Sequence, residues 1–395
     1  MIEPGRLEAE VADVLASTQF IDIHTHLFAP GFGDLGLWGI DSLLTYHYLE
    51  AELFRSSPIH PEAYWALNTV QRADLIWRTL FVQNAPTSEA TRGVIAVLHA
   101  LGLETSAPTL APYREFFRAQ KLTDHVARVF RLAGVESVVM TNDPLDPEES
   151  LLWGDVALDG RFHAALRLDR LLNQETEHTP VEARGFLESW AARMGAVYMA
   201  VSLPDSFQFP AQDRRNQLLV EAVLPACREL KIPLALMMGV RRQVNPALRL
   251  AGDASGRADL RSLEALCRDF PENRFLVSVL SRENQHELCV YARKFANLMP
   301  FGCWWFLNNP STVEEITRER LEMLGTSFIP QHSDARILEQ LIYKWRNTRR
   351  TLAPVLAERY RLLAEDGRSV TRGEIEQDVS RLFRKNFEDW SRERT

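Results

Sequence analysis

The chain has 395 residues, a formal net charge of −8 with acids and bases interspersed, and 46% hydrophobic residues, enough for a full core. No basic stripe points to nucleic acid, and no polybasic run or apolar stretch of about 18 residues points to a membrane. The four cysteines, Cys227, Cys267, Cys289 and Cys303, form no CxxC pair, and the N-terminus lacks a charged-then-apolar leader pattern, so a reduced, cytosolic protein is expected.

Short β-branched or aromatic runs bounded by polar residues recur along the chain. They lie at 19–23, 136–140, 162–168, 196–202, 233–239, 274–280, 298–304 and 326–330. Most are apolar throughout, as in parallel strands buried on both faces. Helical periodicity fills the gaps at 181–194, 213–230, 259–270, 284–297 and 311–324. Strands alternating with helices in this way predict a single-domain (β/α)8 TIM barrel spanning 1–395. The gap after the first strand is long and reads helical at 41–55, 62–86, 88–103 and 113–133. It predicts a large helical insertion over 27–135. The chain after 334 is again helical and amphipathic, which predicts a helical C-terminal extension.

Active sites of parallel barrels lie at the C-terminal ends of the strands. The first strand ends in His24-Thr25-His26. Residues two apart in extended backbone face the same side, so two imidazoles can meet one divalent ion. Alone this pattern is weak, since two histidines near a turn are common. The second exit carries Asn142 and Asp143, the third Arg167, the sixth Arg282, the seventh Trp304 and Trp305, and the eighth His332, Asp334 and Arg336. His60, His99, His125, His178 and His286 read as ordinary surface or helix residues.

The HxH after the first strand, the Asp after the eighth and the alternation of strands and helices resemble the amidohydrolase superfamily. Within it, the chain resembles uronate isomerase over nearly its whole length. The matching segments are Leu43-Leu44-Thr45-Tyr46-His47-Tyr48-Leu49, Met140-Thr141-Asn142-Asp143-Pro144, Phe301-Gly302-Cys303-Trp304-Trp305-Phe306 and His332-Ser333-Asp334-Ala335-Arg336. Two departures from the superfamily matter. The fourth strand has no metal-bridging Lys, and the fifth carries Met237-Met238 where many members have His. Thioether is a poor ligand for hard divalent ions, so a two-metal site is not expected. The resemblance then implies one divalent metal, Zn²⁺ by preference, held by His24, His26 and Asp334.

It also implies a small-molecule uronate substrate and an aldose–ketose isomerisation through a cis-enediol, D-glucuronate to D-fructuronate and D-galacturonate to D-tagaturonate. Such a reaction needs a base near C2, stabilisation of oxyanion charge and a grip on the far carboxylate. Tyr48 with Arg336 beside it is the expected proton-transfer pair, because a phenol needs a neighbouring cation to act as base. Asp334 is the rival base, and His47 would hydrogen-bond the carbonyl or enediol oxygen. Arg167 and Arg282 are candidate carboxylate partners. Trp304 and Trp305 would wall the pocket, and Asn142 and Asp143 could touch substrate. A homo-oligomer without nucleic-acid or membrane partners is expected. A metal-dependent hydrolase, a decarboxylase and a non-catalytic sugar-acid binder stay open as alternatives.

Overall fold

A computed structural model of the chain describes residues 2–154, 156, 158–174 and 177–391. Its framework is a strongly curled parallel sheet with helices packed outside. In chain order the strands are β1 (Phe20–Thr25), β2 (Val135–Asn142), β3 (Phe162–Arg167), β4 (Met199–Pro204), β5 (Leu234–Arg241), β6 (Ala254–Ser255), β7 (Phe275–Val279) and β8 (Leu298–Pro300). The hydrogen-bonded order is β1-β2-β3-β4-β5-β7-β8, all parallel. The short β6 was not expected; it pairs antiparallel with the outer end of β5.

The expected eighth barrel strand is reduced to one parallel bridge between Phe301 and Ile329. Pro300 and Pro330 have no N–H to donate, and Gly302 turns the chain with φ +68°, so no longer ladder forms. The segment after Ile329 still reaches the first strand. Asp334 N–H donates to His24 C=O at 3.2 Å, and His26 N–H donates to Ala335 C=O at 2.7 Å. These bonds bring the two most distant parts of the candidate site together.

Side chains alternate along each strand, and one parity fills the inside of the sheet. Ile21, Ile23, Val139, Ala165, Tyr198, Ala200, Ala235, Met237, Leu276 and Phe301 form this inner cluster. Met237 is therefore interior packing. Phe387 and Trp390, from the Asn386–Ser391 helix, pack into the same cluster.

Between β1 and β2 the chain is helical, but the expected 41–55 helix is two pieces, Ile40–Leu44 and His47–Ser56. Tyr46 is extended at ψ 140° and breaks the run, which puts His47 at the first position of the second helix. After the last bridge comes a 26-residue helix, Gln340–Glu365. Among the described residues no helix is long and apolar enough to cross a membrane. His125 is a helix residue, as expected, but not an exposed one. It is buried, and its Nε2 lies 2.7 Å from Glu339 Oε1.

Candidate active site

His24 is the penultimate residue of β1 and is buried; His26 follows the strand and is partly covered. A register shift between Asp22 and Thr25 re-aims this end of the strand. His24 Nε2 lies 3.7 Å and His26 Nε2 3.3 Å from Asp334 Oδ1. One ligand atom from each of the three residues falls within 4.8 Å of the others. Asp334 holds φ +54°, a costly conformation for a residue with a side chain, and its loop is pinned from both sides. Ser333 N–H donates to the buried Asp22 Oδ1 at 3.0 Å, and Trp345 Nε1–H donates to Asp22 Oδ2 at 2.8 Å. Gly302 completes the support, because a Cβ there would meet His332 Cδ2 at 2.0 Å.

The protons on these histidines can be placed by elimination. Tyr198 O–H donates to the carbonyl of Ile23 at 2.7 Å, and a carbonyl can only accept. Its one proton is spent, so His24 Nδ1, 3.1 Å away, must donate to it. Thr141 O–H likewise donates to Thr25 C=O at 2.8 Å, so His26 Nδ1 donates to Thr141 Oγ1 at 2.9 Å. Both rings carry their proton on Nδ1 and present a bare Nε2 lone pair to Asp334. Burial, with His26 reinforcing, pushes His24 down to about 3, and burial and Arg336 hold His26 well below the usual imidazole range, so neither gains a second proton near neutrality. Asp334 Oδ1 has no hydrogen-bond partner among the described residues. Three lone pairs thus face one another with no proton among them, a donor set that a divalent cation satisfies.

Around this cluster stand the other candidates. His47 is buried, and neither ring nitrogen has a partner among the described residues. Its ring lies 4.6 Å from Tyr48, 4.1 Å from Tyr46 and 5.8 Å from Trp305. Burial, then Arg336, keeps it neutral. It therefore offers one donor and one acceptor to whatever enters. Among the described residues the Arg336 guanidinium makes no ion pair or hydrogen bond, and its charge acts on His26, His47 and Tyr46.

Arg336 does not activate Tyr48 as expected. Burial, Tyr46, Asp334, Tyr343 and Glu89 all push Tyr48 well above the ordinary phenol value. The tyrosine that Arg336 does act on, Tyr46, is itself raised by burial. Both phenols are donors at neutral pH.

A cleft of about 540 Å³ opens over the ends of β2 to β5 and is lined by Asp143, Arg167, Asp169, Arg170, Ser202 and Arg242. Arg167 is held by Asp169 at 3.1 Å, and its charge reaches His24 and His26. Arg242 lies over the Trp305 ring at 5.5 Å and is paired with Asp253 at 2.6 Å. Arg167 thus acts from the cleft on the two histidines, and Arg242 on His47. Trp304 and Trp305 are buried, and Trp305 Nε1 has no partner among the described residues. Asp143 lines the cleft but is engaged by Arg170 at 3.1 Å. Asn142 is fully buried, and its Nδ2 donates to Glu149 at 3.2 Å, so it braces the β2 exit instead of facing the cleft.

Arg282 is not brought to this site. It is solvent-exposed, and its guanidinium is held by Glu315 at 2.7 Å, because the Arg282–Asn284 turn points it outward along the Pro310–Leu324 helix. Sequence reasoning missed Arg242, Tyr46 and Tyr198. Arg242 had a signal: β5 runs two residues further than expected, to Arg241, and Arg242 is the first residue past its end.

Comparison with known proteins places the chain. No protein-family model and no curated protein matches it. Among solved structures, an uronate isomerase from Bacillus halodurans C-125 is 47% identical, over 99% of this chain and 97% of its own, with a TM-score of 0.96. The chain belongs to the uronate isomerase family. An uronate isomerase from Thermotoga maritima covers 98% of the chain and 97% of its own at 17% identity and TM-score 0.78. A glucuronate isomerase from Caulobacter crescentus covers 99% and 97% at 16% identity and TM-score 0.74. These two share the fold. Membership in the uronate isomerase family agrees with the resemblance carried by the His24, His47, Trp304 and Asp334 segments.

Proposed function

We propose that this protein is an uronate isomerase that interconverts D-glucuronate and D-fructuronate, and D-galacturonate and D-tagaturonate. The observation that carries the reading is the 47% identity to the Bacillus halodurans uronate isomerase across 99% of the chain. The reaction moves one proton from C2 to C1 and one from the 2-hydroxyl to the carbonyl oxygen at C1, through a cis-enediol. A divalent ion, Zn²⁺ by donor preference, held by His24, His26 and Asp334, would supply a fixed positive charge that orients the carboxylate end of the sugar.

The chain's own residues then divide the work. With both phenols protonated, Asp334 is the proton acceptor at C2. Tyr48 and His47 donate to the oxygens of the enediol, and His47 suits this because its nitrogens have no competing partner. Arg336, unpaired, offsets the negative charge that develops on the enediol. Arg167 and Arg242 hold carboxylate or hydroxyl oxygens at the cleft, and Trp304 and Trp305 exclude water.

We further read the curled sheet as a (β/α)8 barrel in one domain, its last position supplied by 326–330, with a helical insertion over 27–135 and a helical extension after 334. A cytosolic, homo-oligomeric enzyme fits the free, buried cysteines and the soluble sugar acid; light scattering on a sizing column tests the assembly, and a monomer would refute it. The reaction itself is tested by NMR of D-glucuronate incubated with the protein in D₂O. Ketose bearing deuterium at C1 is the expected product. Recovery of unchanged glucuronate and galacturonate, or release of CO₂, would overturn the assignment.

A further inference from the structure

Away from this site, the helix Glu89–Ala100 lies beside the helix Gln340–Glu365, and a crevice of about 380 Å³ separates part of their outer faces. The first helix contributes Glu89, Arg92 and His99, and the second contributes Arg346, Asn347 and Arg350. Residues seven apart, such as Arg92 and His99, share one face of a helix, as do Arg346 and Arg350 four apart.

The charges in the crevice do not balance. Among the described residues Arg92, Arg346 and Arg350 make no ion pair and no side-chain hydrogen bond, and all three are exposed. The one carboxylate in the wall, Glu89, is already taken by Lys344 Nζ at 3.1 Å. Like charges four apart on a helix oppose its stability. A chain with a net charge of −8 therefore gathers three uncompensated guanidinium groups around one concave space. Guanidinium is the side chain whose planar fork matches phosphate oxygens. The asparagine amide and the imidazole add further donors beside it.

We infer that this crevice is a binding site for a compact multivalent oxyanion of the phosphate class, either inorganic phosphate or a phosphate ester. It is distinct from the catalytic cleft and shares no lining residue with it. Its back wall nonetheless touches the site. Lys344, the partner of Glu89, lies over the Tyr48 ring at 5.7 Å and over Tyr343 at 5.0 Å. Gly93, on the same helix as Arg92, packs so closely on Tyr343 that a Cβ would come within 2.7 Å. Through Glu89 and Lys344 the lining of the crevice is thus in contact with Tyr48.

The test is isothermal titration of the full-length protein with inorganic phosphate, and separately with glucose 6-phosphate, at constant ionic strength in a phosphate-free buffer. The double variant Arg346→Gln/Arg350→Gln is titrated alongside Arg336→Gln. Saturable binding with a Kd of about 1 mM or tighter, weakened at least about tenfold in the double variant and retained in Arg336→Gln, is expected. Binding of both ligands alike points to the phosphate group itself; preference for the sugar phosphate points to the ester. No saturable binding of either, or binding lost only in Arg336→Gln, overturns the proposal. So does a change of oligomeric state in the double variant without anion binding, which would make the crevice a protein contact.

Discussion

The proton placement on His24 and His26 rests on two hydroxyl groups that touch no substrate, Tyr198 and Thr141, and it can be broken one hydroxyl at a time. In Tyr198→Phe the ring still fills its fully buried place, but His24 Nδ1 and the Ile23 carbonyl both lose their partner. The imidazole is then free to carry its proton on Nε2, where it repels a cation. Partners of this kind are worth about 10–100-fold in metal affinity, or ~1.4–2.7 kcal/mol. Thr141→Val removes the equivalent support from His26, and because the two hydroxyls act on different rings, the double variant should lose about 10²–10⁴-fold. The assay is competition for Zn²⁺ against a chromophoric chelator, run on metal-free protein. Leaving buried groups unpaired also costs about 1–3 kcal/mol of stability, so melting in excess chelator reports the purely structural loss. Metal affinity within about twofold of the parent in both single variants would refute the tautomer argument.

Further outcomes follow from the same geometry. Tyr48→Phe should lower kcat by at least about 10²-fold if the phenol donates during proton transfer; Tyr46→Phe, which lies under the field of Arg336, serves as the comparison, and a larger loss in Tyr46→Phe would transfer the role. Arg282→Ala should leave kcat/KM within about twofold, since Arg282 is solvent-exposed and paired with Glu315 away from the cleft; a large loss would mean that Arg282 reaches substrate after all. Glu149, at the edge of the cleft, is pushed up to about 7 by burial. The native state holds that proton more tightly than the unfolded chain, so its stabilising contribution is present below the ordinary glutamate value and is lost as pH rises through about 7. Glu149→Gln should therefore flatten the fall in urea midpoint across that window; an equal fall in both proteins would contradict the assignment.

Much of the site was legible because its parts lie at strand ends. His24 and His26 follow an apolar strand at a spacing that puts both rings on one side, and Asp334 follows another. Backbone bonds from Asp334 to His24 and from His26 to Ala335 join what the sequence only lists far apart. Other features needed packing to appear. Tyr198 reads as one aromatic in an apolar strand, and its role comes from the carbonyl it meets. The break at Tyr46 falls within a helical pattern, yet it sets where His47 points. Arg282 and Arg167 look alike in sequence. What separates them is which partner lies within reach, Glu315 outside or Asp169 beside the cleft. The shortened last strand follows from Pro300 and Pro330, which withhold ladder donors within otherwise apolar runs.

The central claim is that three facing lone pairs, from His24, His26 and Asp334, hold the single ion on which uronate isomerisation depends. Metal-stripped protein should be titrated with Zn²⁺ while D-glucuronate conversion to ketose is followed by NMR, with Asp334→Asn as the companion. The account predicts activity that rises linearly and stops at one equivalent of metal, and Asp334→Asn that neither binds at that stoichiometry nor turns over. Full activity in the stripped protein, or an Asp334→Asn variant that keeps both, would contradict it.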